Sequence, residues 1–167
     1  NKPYKKSNDY SNVPIAGIGV VRACRKNPDG TSHLIIQGMA RVKLLSVSWN
    51  CPYPLADIEY LPSVNNSNTN DYNAIKSTLI DSIENLLQLD TSLPEDILPF
   101  LANIDDHENV LDVAIASLCP TGKLKQNLLE TISINQRYEI FLKFLKNEKE
   151  KLILHKKLHG DLDENDT

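Results

Sequence analysis

Hydrophobic and polar positions divide the chain into two parts that differ in their period. Up to about residue 62, short apolar runs rich in β-branched residues alternate with turn residues, a pattern that predicts β-strands. Beyond residue 73, apolar residues recur at the spacing of a helix turn, which predicts amphipathic helices. The segment 63–73 is almost wholly small and polar. It is predicted to be a linker, because it carries too little apolar surface to order itself.

The first part predicts an antiparallel meander of roughly four strands. Pro28, Asp29 and Gly30 favour a tight turn, and the apolar runs on either side of them indicate a β-hairpin. Gly38 interrupts the following run and predicts a bulge or a tight bend. The predicted strands are 18–24, 33–37, 41–47 and 55–61.

The second part predicts a bundle of helices that ends in one long helix. Residues that cap helices stand before the apolar stripes, and in the third helix the predicted cap Asp105 is followed three positions later by Glu108, as in a capping box. Gly160 is a suitable residue for the end of the long helix. The helices are predicted at 72–88, from about 94, from 105 to 118, at about 123–131 and from 134 to about 159, with caps at Ser92, Asp105, Thr121 and Ser133.

These patterns together predict an α+β protein. The predicted organisation is a β module over 1–62, a polar linker over 63–73, a helical bundle over 74–159 and a disordered acidic tail over 160–167.

Composition and charge narrow the classes of function. The chain is 41% hydrophobic and 24% charged, as in ordinary soluble domains, and no apolar run approaches the ~20 residues of a membrane span. Its net charge of -4 argues against general affinity for nucleic acids. The three cysteines are far apart and odd in number, which argues against a disulfide framework and against a zinc knuckle. We therefore expect a reducing, cytoplasmic environment.

Several motifs stand in an order that resembles a known family. Residues 19–21, 28–31 and 37–44 resemble the Gly-Thr-Val, Asp-Gly-Thr and Gly-x-x-Arg-x-x-Ile segments of the amino-terminal, substrate-binding domain of Lon-type ATP-dependent proteases, and residues 53–59 are similar to the next strand of that domain. In the helical part, Asp112, then Lys125-Gln126 with Glu130, and then Arg137-Tyr138 match the Asp, Lys-Gln-x-x-Leu-Glu and Arg-Leu elements of the same family without a gap. The resemblance extends over about residues 15–158.

The resemblance implies a fold and also shows departures from the family. It implies a PUA-like β-barrel or meander, partly missing at the N-terminus, followed by an all-α helical bundle with a long C-terminal helix. Val110 and Leu111 replace the Leu-Ala that precedes the Asp in the family. The strand-helix-strand unit with which the family's β domain begins has no counterpart here, so some strands are expected to have open edges. A stand-alone protein and a fragment of a full protease both remain open.

The function implied by the resemblance is non-catalytic binding of unfolded or damaged polypeptides for, or as part of, a Lon-type protease. The sequence contains no Walker-type loop and no space for a Ser-Lys protease domain. No catalytic residue, metal site or cofactor is expected. The expected partners are polypeptides and either a Lon-type AAA+ protease or other copies of the chain. The alternatives are an interaction scaffold built on the long helix and an RNA-binding PUA-like module, which the acidic strand 55–61 disfavours.

Two groups of residues are candidates for the site. Trp49, Pro52, Tyr53 and Pro54 form an apolar loop between strands that is predicted either to contact extended polypeptide or to cover the end of the barrel. The second group is polar, matches the family motifs and is predicted to brace the helices or to contact a neighbouring module. Its members are Asp112, Lys125, Gln126, Glu130 and Arg137. His155 and His159 have helical spacing but lack a third ligand, so no metal is expected there.

Overall fold

The computed structural model describes residues 14–49, 51–65, 69–90, 93–94 and 96–163, and at 69–70 and 159–163 it describes the backbone alone. The chain divides into two compact units, residues 1–62 and residues 63–167. The first contains an antiparallel sheet and the second contains helices, so the predicted α+β class is confirmed. The elements are β1 (Ile15–Lys26), β2 (Ser32–Ser48), β3 (Leu55–Tyr60), α1 (Thr69–Leu87), α2 (Ile97–Ala102), α3 (His107–Leu118), α4 (Gly122–Glu130) and α5 (Ile134–Asp163).

The predicted hairpin turn is present between β1 and β2. Gly30 has φ +86°, a left-handed conformation that glycine adopts without steric cost. Its N–H donates to the carbonyl of Asn27 at 3.1 Å, and Asp29 Oδ1 accepts from the N–H of Thr31 at 2.9 Å. The local chemistry of Pro28-Asp29-Gly30 therefore determines where the chain reverses.

The two strands predicted on either side of Gly38 are one strand, β2, which is 17 residues long. Gly19 pairs with Gly38 and Ile18 pairs with Ala40, so Met39 is an extra residue at a β-bulge. The bulge predicted at Gly38 is therefore confirmed, but a bulge bends a strand without ending it, so the predicted division into two strands was wrong. In the described part of the chain, the sheet consequently has three strands in the order β1-β2-β3.

The bulge requires a glycine on the opposite strand. A Cβ built on Gly19 would lie 2.5 Å from the carbonyl oxygen of Gln37 and 2.9 Å from Cγ2 of Ile36. Both distances are below a normal van der Waals contact, so the close approach of β1 to β2 depends on the absence of a side chain at this position.

The buried apolar core lies in the helical unit. Helices α1, α3 and α5 contact one another, and their apolar faces supply most of the fully buried side chains, with further ones from α2 and α4. The largest buried apolar side chains are Tyr72, Leu79, Ile83, Leu101, Leu111, Leu128, Tyr138, Phe141 and Leu145. Among the described residues of the sheet unit, only Arg41 and Val42 are buried. The described residues of the sheet unit are therefore mostly accessible to water.

Several predicted helix boundaries differ from those in the structure. Helix α1 begins at Thr69, within the segment predicted as a linker. Asp71 lies in its first turn, where a negative charge interacts favourably with the positive end of the helix dipole. Helix α3 is capped by Asp106, whose Oδ1 accepts from the N–H of Asn109 at 2.7 Å, and not by Asp105. The predicted cap Thr121 is confirmed, since its hydroxyl accepts from the N–H of Leu124 at 3.4 Å.

Two further predictions concern the ends of α2 and α5. Ser92 and Glu95 of the predicted capping box lie outside the described residues, and Asp96 precedes α2 without a side-chain cap. Helix α5 continues through Gly160 to Asp163, so the tail predicted to be disordered over 160–167 is helical up to Asp163. Glycine permits a left-handed helix end but does not impose one, which explains this difference.

Candidate functional site

The loop between β2 and β3 presents the first group of candidate residues. Ser48 pairs with Leu55, so the two ends of the loop are held together by the sheet. Trp49 is 38% exposed and Tyr53 is 63% exposed, while Pro52 and Pro54 are also exposed. Asn50 lies outside the described residues. The loop thus places two aromatic rings and two prolines in contact with solvent.

A second apolar surface lies on the hairpin formed by β1 and β2. We call residues 18–26 and 32–40 the ribbon; they pair with each other from Ile18–Ala40 to Lys26–Ser32. Six large apolar side chains of the ribbon are between 39% and 66% exposed. They are Val20, Val21, Leu34, Ile35, Ile36 and Met39. Exposed large apolar side chains that are grouped in one element are often part of a binding surface.

The ribbon residues were not candidates in the sequence analysis, although a signal was present. The run Leu34-Ile35-Ile36 does not alternate with polar residues, so apolar side chains point to both faces of the strand. Such a run usually belongs to a strand that is covered on both faces. In this structure the run is exposed instead, which makes it part of the candidate site.

The helical unit contains a buried arginine with two acidic partners. Arg137 of α5 is fully buried, and its Nη1 donates to Oδ1 of Asp112 at 2.9 Å while its Nη2 donates to Oε1 of Glu108 at 2.7 Å. Nη2 also donates to Oγ of Ser63 at 2.9 Å, and that hydroxyl donates to Glu108. We call these four residues the arginine cluster. It joins α3 and α5 to the first residue of the helical unit.

The sequence indicated part of this cluster. Arg137 and Asp112 were both candidates through the family resemblance, and the structure places them in contact. Glu108 was assigned only to a capping box and Ser63 only to the linker, because nothing in the local sequence indicates that either lies near Arg137. The backbone holds Ser63 in place: the N–H of Val64 donates to the carbonyl of Ile132, and the N–H of Ile134 donates to the carbonyl of Val64, each at 3.1 Å.

The remaining candidates are Lys125, Gln126 and Glu130, and their described hydrogen bonds are made to other residues of the helical unit. Lys125 Nζ donates to the carbonyl of Ala116 at 2.8 Å, which connects α4 to α3. Gln126 Nε2 donates to Oε1 of Glu130 at 2.9 Å within α4. These contacts lie within the helical unit, and a bracing role for the three side chains stays a prediction.

The described residues contain no group of three or more His, Cys, Asp and Glu side chains placed to bind a metal ion. The side chain of His159 lies outside them, so the His155–His159 pair is not observed.

The sheet has two electrostatic features. Hydrogen bonds from Thr31 lower the pKa of Asp29, and β3 carries Asp57 and Glu59. No described helix is long and apolar enough to cross a membrane.

Comparison with known proteins identifies the family. The sequence model of the ATP-dependent protease La (LON) substrate-binding domain matches residues 6–147. The chain is 28% identical over 144 residues to the Lon protease of Brevibacillus choshinensis, and 27% identical over 146 residues to the Lon protease of Escherichia coli K12. These alignments cover 86% and 87% of the chain but only 18% of each relative. The chain therefore spans about a fifth of the length of these proteases.

The fold agrees with that assignment. The N-terminal domain of the Mycobacterium avium complex Lon protease superimposes with a TM-score of 0.63 at 15% sequence identity, covering 82% of this chain and 70% of that one. The likeness in fold and the match over residues 6–147 confirm the resemblance inferred from the motifs. The chain belongs to the family of Lon substrate-binding domains.

Proposed function

We propose that this chain binds unfolded or damaged polypeptides for, or as part of, an ATP-dependent Lon-type protease. The family to which it belongs is described as substrate-binding, and the relatives named above are Lon proteases. In this proposal the chain supplies binding alone, without a cofactor, and proteolysis takes place elsewhere. A cytoplasmic location is part of the proposal, in keeping with Cys24, Cys51 and Cys119, all of which are unpaired.

The observation that carries the proposal is the exposed apolar surface of the sheet unit. An unfolded chain offers apolar side chains and unpaired backbone groups, whereas a folded protein has buried both. Trp49 and Tyr53 in the loop, together with the exposed strands, provide an apolar surface that an unfolded chain can match and a folded protein cannot. A single contact of this type is weak, so several copies acting together would add avidity.

Fluorescence anisotropy tests this proposal directly. A labelled, permanently unfolded polypeptide is titrated with the protein, and a stable, folded protein that carries the same fluorophore serves as the control ligand. We expect binding of the unfolded form alone, with an affinity about tenfold lower in the double variant Trp49→Ala/Tyr53→Ala, since truncated aromatic anchors typically cost 1–3 kcal/mol. Phe100→Ala is the matched control, because Phe100 is an exposed aromatic residue of the helical unit. Equal binding of both forms, or of neither, would contradict the proposal.

A second candidate function is that of an interaction scaffold built on α5. The first half of α5 is buried in the helical unit through Tyr138, Phe141 and Leu145, but Leu154 and Leu158 are exposed one helical turn apart. Such a pair could pack against a partner helix. Sedimentation of the protein and of a Leu154→Lys/Leu158→Lys variant distinguishes the two functions: an oligomer that this variant dissociates, without any polypeptide binding, favours the scaffold.

An RNA-binding role is the least supported of the three. Asp57 and Glu59 place negative charge on β3, and PUA-like modules that bind RNA need a basic groove with aromatic residues for stacking. Structured RNA with the same fluorophore belongs in the anisotropy experiment. Selective binding of RNA would overturn the proposed function while leaving the fold assignment intact.

A further inference from the structure

The turn between β1 and β2 contains a peptide bond that is chemically vulnerable. Asp29-Gly30 is the only Asp-Gly sequence in the chain, and no Asn-Gly sequence occurs in it. Because glycine has no Cβ, its backbone nitrogen can approach the side-chain carboxyl carbon of the preceding residue with little steric hindrance. Asp29 is therefore the position at which this sequence most favours the conversion of aspartate to isoaspartate.

Isoaspartate forms in two steps that need water alone. In the first step the backbone nitrogen of Gly30 attacks Cγ of Asp29: the N–Cγ bond forms, a Cγ–O bond breaks, and the hydroxyl of the protonated carboxyl leaves as water with the proton of the nitrogen. In the second step water opens the resulting succinimide ring. Cleavage of the N–Cγ bond restores aspartate, whereas cleavage of the bond between this nitrogen and the main-chain carbonyl carbon of Asp29 gives isoaspartate.

The folded turn engages the nitrogen that would attack. The N–H of Gly30 donates to the carbonyl of Asn27 at 3.1 Å, and Gly30 is held at φ +86°. To reach Cγ of Asp29, the nitrogen must turn away from Asn27 and give up its proton. The first step therefore requires that this hydrogen bond break.

The carboxyl group that would be attacked is engaged as well. Oδ1 of Asp29 accepts from the hydroxyl of Thr31 at 2.7 Å and from its N–H at 2.9 Å. These bonds, that of the hydroxyl above all, lower the pKa of Asp29 and so reduce the fraction of protonated carboxyl from which water can leave. The hydroxyl of Thr31 is oriented in turn by Nδ2 of Asn27, which donates to it at 2.9 Å.

These hydrogen bonds join residues 27–31 to one another, and the pairing of Lys26 with Ser32 closes the turn. The protection is thus a property of the turn itself and lasts as long as the turn is formed. An isoaspartate at position 29 would insert one methylene group into the backbone between Asn27 and Gly30. The two ends of the Asn27–Gly30 hydrogen bond would then no longer be spaced for a tight turn.

We propose that Asp29-Gly30 is a modification site that the folded turn protects: isoaspartate forms there when the hairpin opens, and the added methylene group then prevents the turn from closing again. Thr31 is the protecting residue, through its hydroxyl and its N–H. A chain that has been unfolded is thereby marked at one defined bond. The inference is independent of the proposed polypeptide-binding function.

The test measures isoaspartate at position 29 in the full chain during incubation at physiological temperature and pH. Peptide mapping with electron-transfer fragmentation distinguishes isoaspartate from aspartate. We expect the folded protein to form isoaspartate at least about tenfold more slowly than the same protein in concentrated urea, because hydrogen bonds on both the nitrogen and the carboxyl must break before the reaction. Equal rates in the folded and the denatured protein would overturn the inference.

Thr31→Val removes the hydroxyl donor and is the decisive variant. When folded, it should form isoaspartate about fivefold to tenfold faster than the unmodified sequence, whereas Thr31→Ser, which keeps the hydroxyl, should stay within about twofold of it. In urea all three proteins should react at the same rate, since residue 31 no longer holds Asp29. A Thr31→Val variant that is no faster than Thr31→Ser when folded, or that is faster by the same factor in urea, would overturn the inference.

Amide hydrogen exchange separates loss of the turn from loss of the sheet. Faster reaction of Thr31→Val, with unchanged exchange where β2 pairs with β3, supports local protection by Thr31. Faster exchange in that region as well would mean that the variant unfolds the sheet, and the protecting role of Thr31 would fail. In the modified protein we expect faster exchange at residues 25–33 and unchanged exchange in the helical unit. Unchanged exchange at residues 25–33 would overturn the proposal that isoaspartate keeps the turn open.

Discussion

Arg137 and Asp112 form an ion pair between α5 and α3 whose two ends lie in different environments. The arginine side chain is 1% exposed, whereas the aspartate is 51% exposed and the second partner, Glu108, is 32% exposed. The cation is thus removed from water while its partners remain partly hydrated. Either carboxylate alone still compensates the buried charge, so the effects of removing them should not be additive.

We predict that Asp112→Asn lowers the free energy of unfolding by about 1 kcal/mol, because Glu108 continues to pair with Arg137. The double variant Asp112→Asn/Glu108→Gln should lower it by about 3–5 kcal/mol, since it leaves a buried charge without a partner. Urea unfolding followed by circular dichroism measures both values. Glu148→Gln, which removes a partner of the exposed Lys151, is the control and should change stability by less than about 0.5 kcal/mol. A double variant that equals the sum of its single variants would contradict this account.

The cap of α3 gives a second prediction. Asp106→Ala removes the carboxylate that accepts from the N–H of Asn109 and should cost about 1 kcal/mol of stability. Asp105→Ala is the matched control, since it removes the same charge one position earlier without removing the cap. Thermal or urea unfolding of the two variants measures the difference in stability. Equal losses of stability would mean that charge near the helix end, and not the hydrogen bond, is responsible.

The close approach at Gly19 predicts a steric effect on the sheet. In Gly19→Ala the new methyl group would meet the backbone of Gln37, so β1 and β2 must separate, at a cost of about 1–3 kcal/mol. Gly17→Ala lies on the same strand with no atom within 4 Å of the new methyl group and should be nearly neutral. Amide hydrogen exchange in β1 and β2 reports the effect on the sheet itself. Equal protection in both variants would show that the strands adjust without cost.

The hairpin turn predicts a change in a measurable pKa. Hydrogen bonds from the hydroxyl and the N–H of Thr31 hold the pKa of Asp29 below its usual value, so Thr31→Val should raise that pKa toward the value of a free aspartate. Since the pKa is lowered on folding, the contribution of this group to stability is present above the unfolded pKa and is lost as the pH falls through the folded one. Titration of the Asp29 carboxyl carbon by NMR measures the change. An unchanged pKa in Thr31→Val would assign the lowering to another cause.

Several features that depend on neighbouring residues could be predicted from the sequence, whereas features that depend on the packing of distant residues could not. The turn at Gly30 and the cap Thr121 follow from local chemistry, and both are present. The bulge was predicted from Gly38, but whether the strand continues through it depends on how β1 pairs with β2, so the sequence suggested two strands where the structure has one bent strand. The contact between Arg137 and Glu108 likewise depends on the packing of two helices.

The residues of the candidate site could likewise be predicted only in part from the sequence. The loop containing Trp49 and Tyr53 was predicted as a candidate because its composition is unusual for a loop, and its role in binding stays a prediction. The exposure of Leu34, Ile35 and Ile36 was not expected, because the periodicity of a strand shows which positions are apolar but not what covers them. The described residues of the sheet unit bury little of their apolar surface, and no local pattern reveals this.

The attachment of residues 63–64 to the start of α5 has a mechanical consequence. Backbone hydrogen bonds join Val64 to Ile132 and Ile134, and the side chain of Ser63 is held by Arg137. A pulling force transmitted along the backbone from the sheet unit would therefore reach these bonds before it reached α1. The two segments are parallel at the Val64–Ser133 bridge, so a force along the chain would load both backbone hydrogen bonds together. We expect the attachment of residues 63–64 to delay the unfolding of α1 when a force is applied to the chain on the side of the sheet unit.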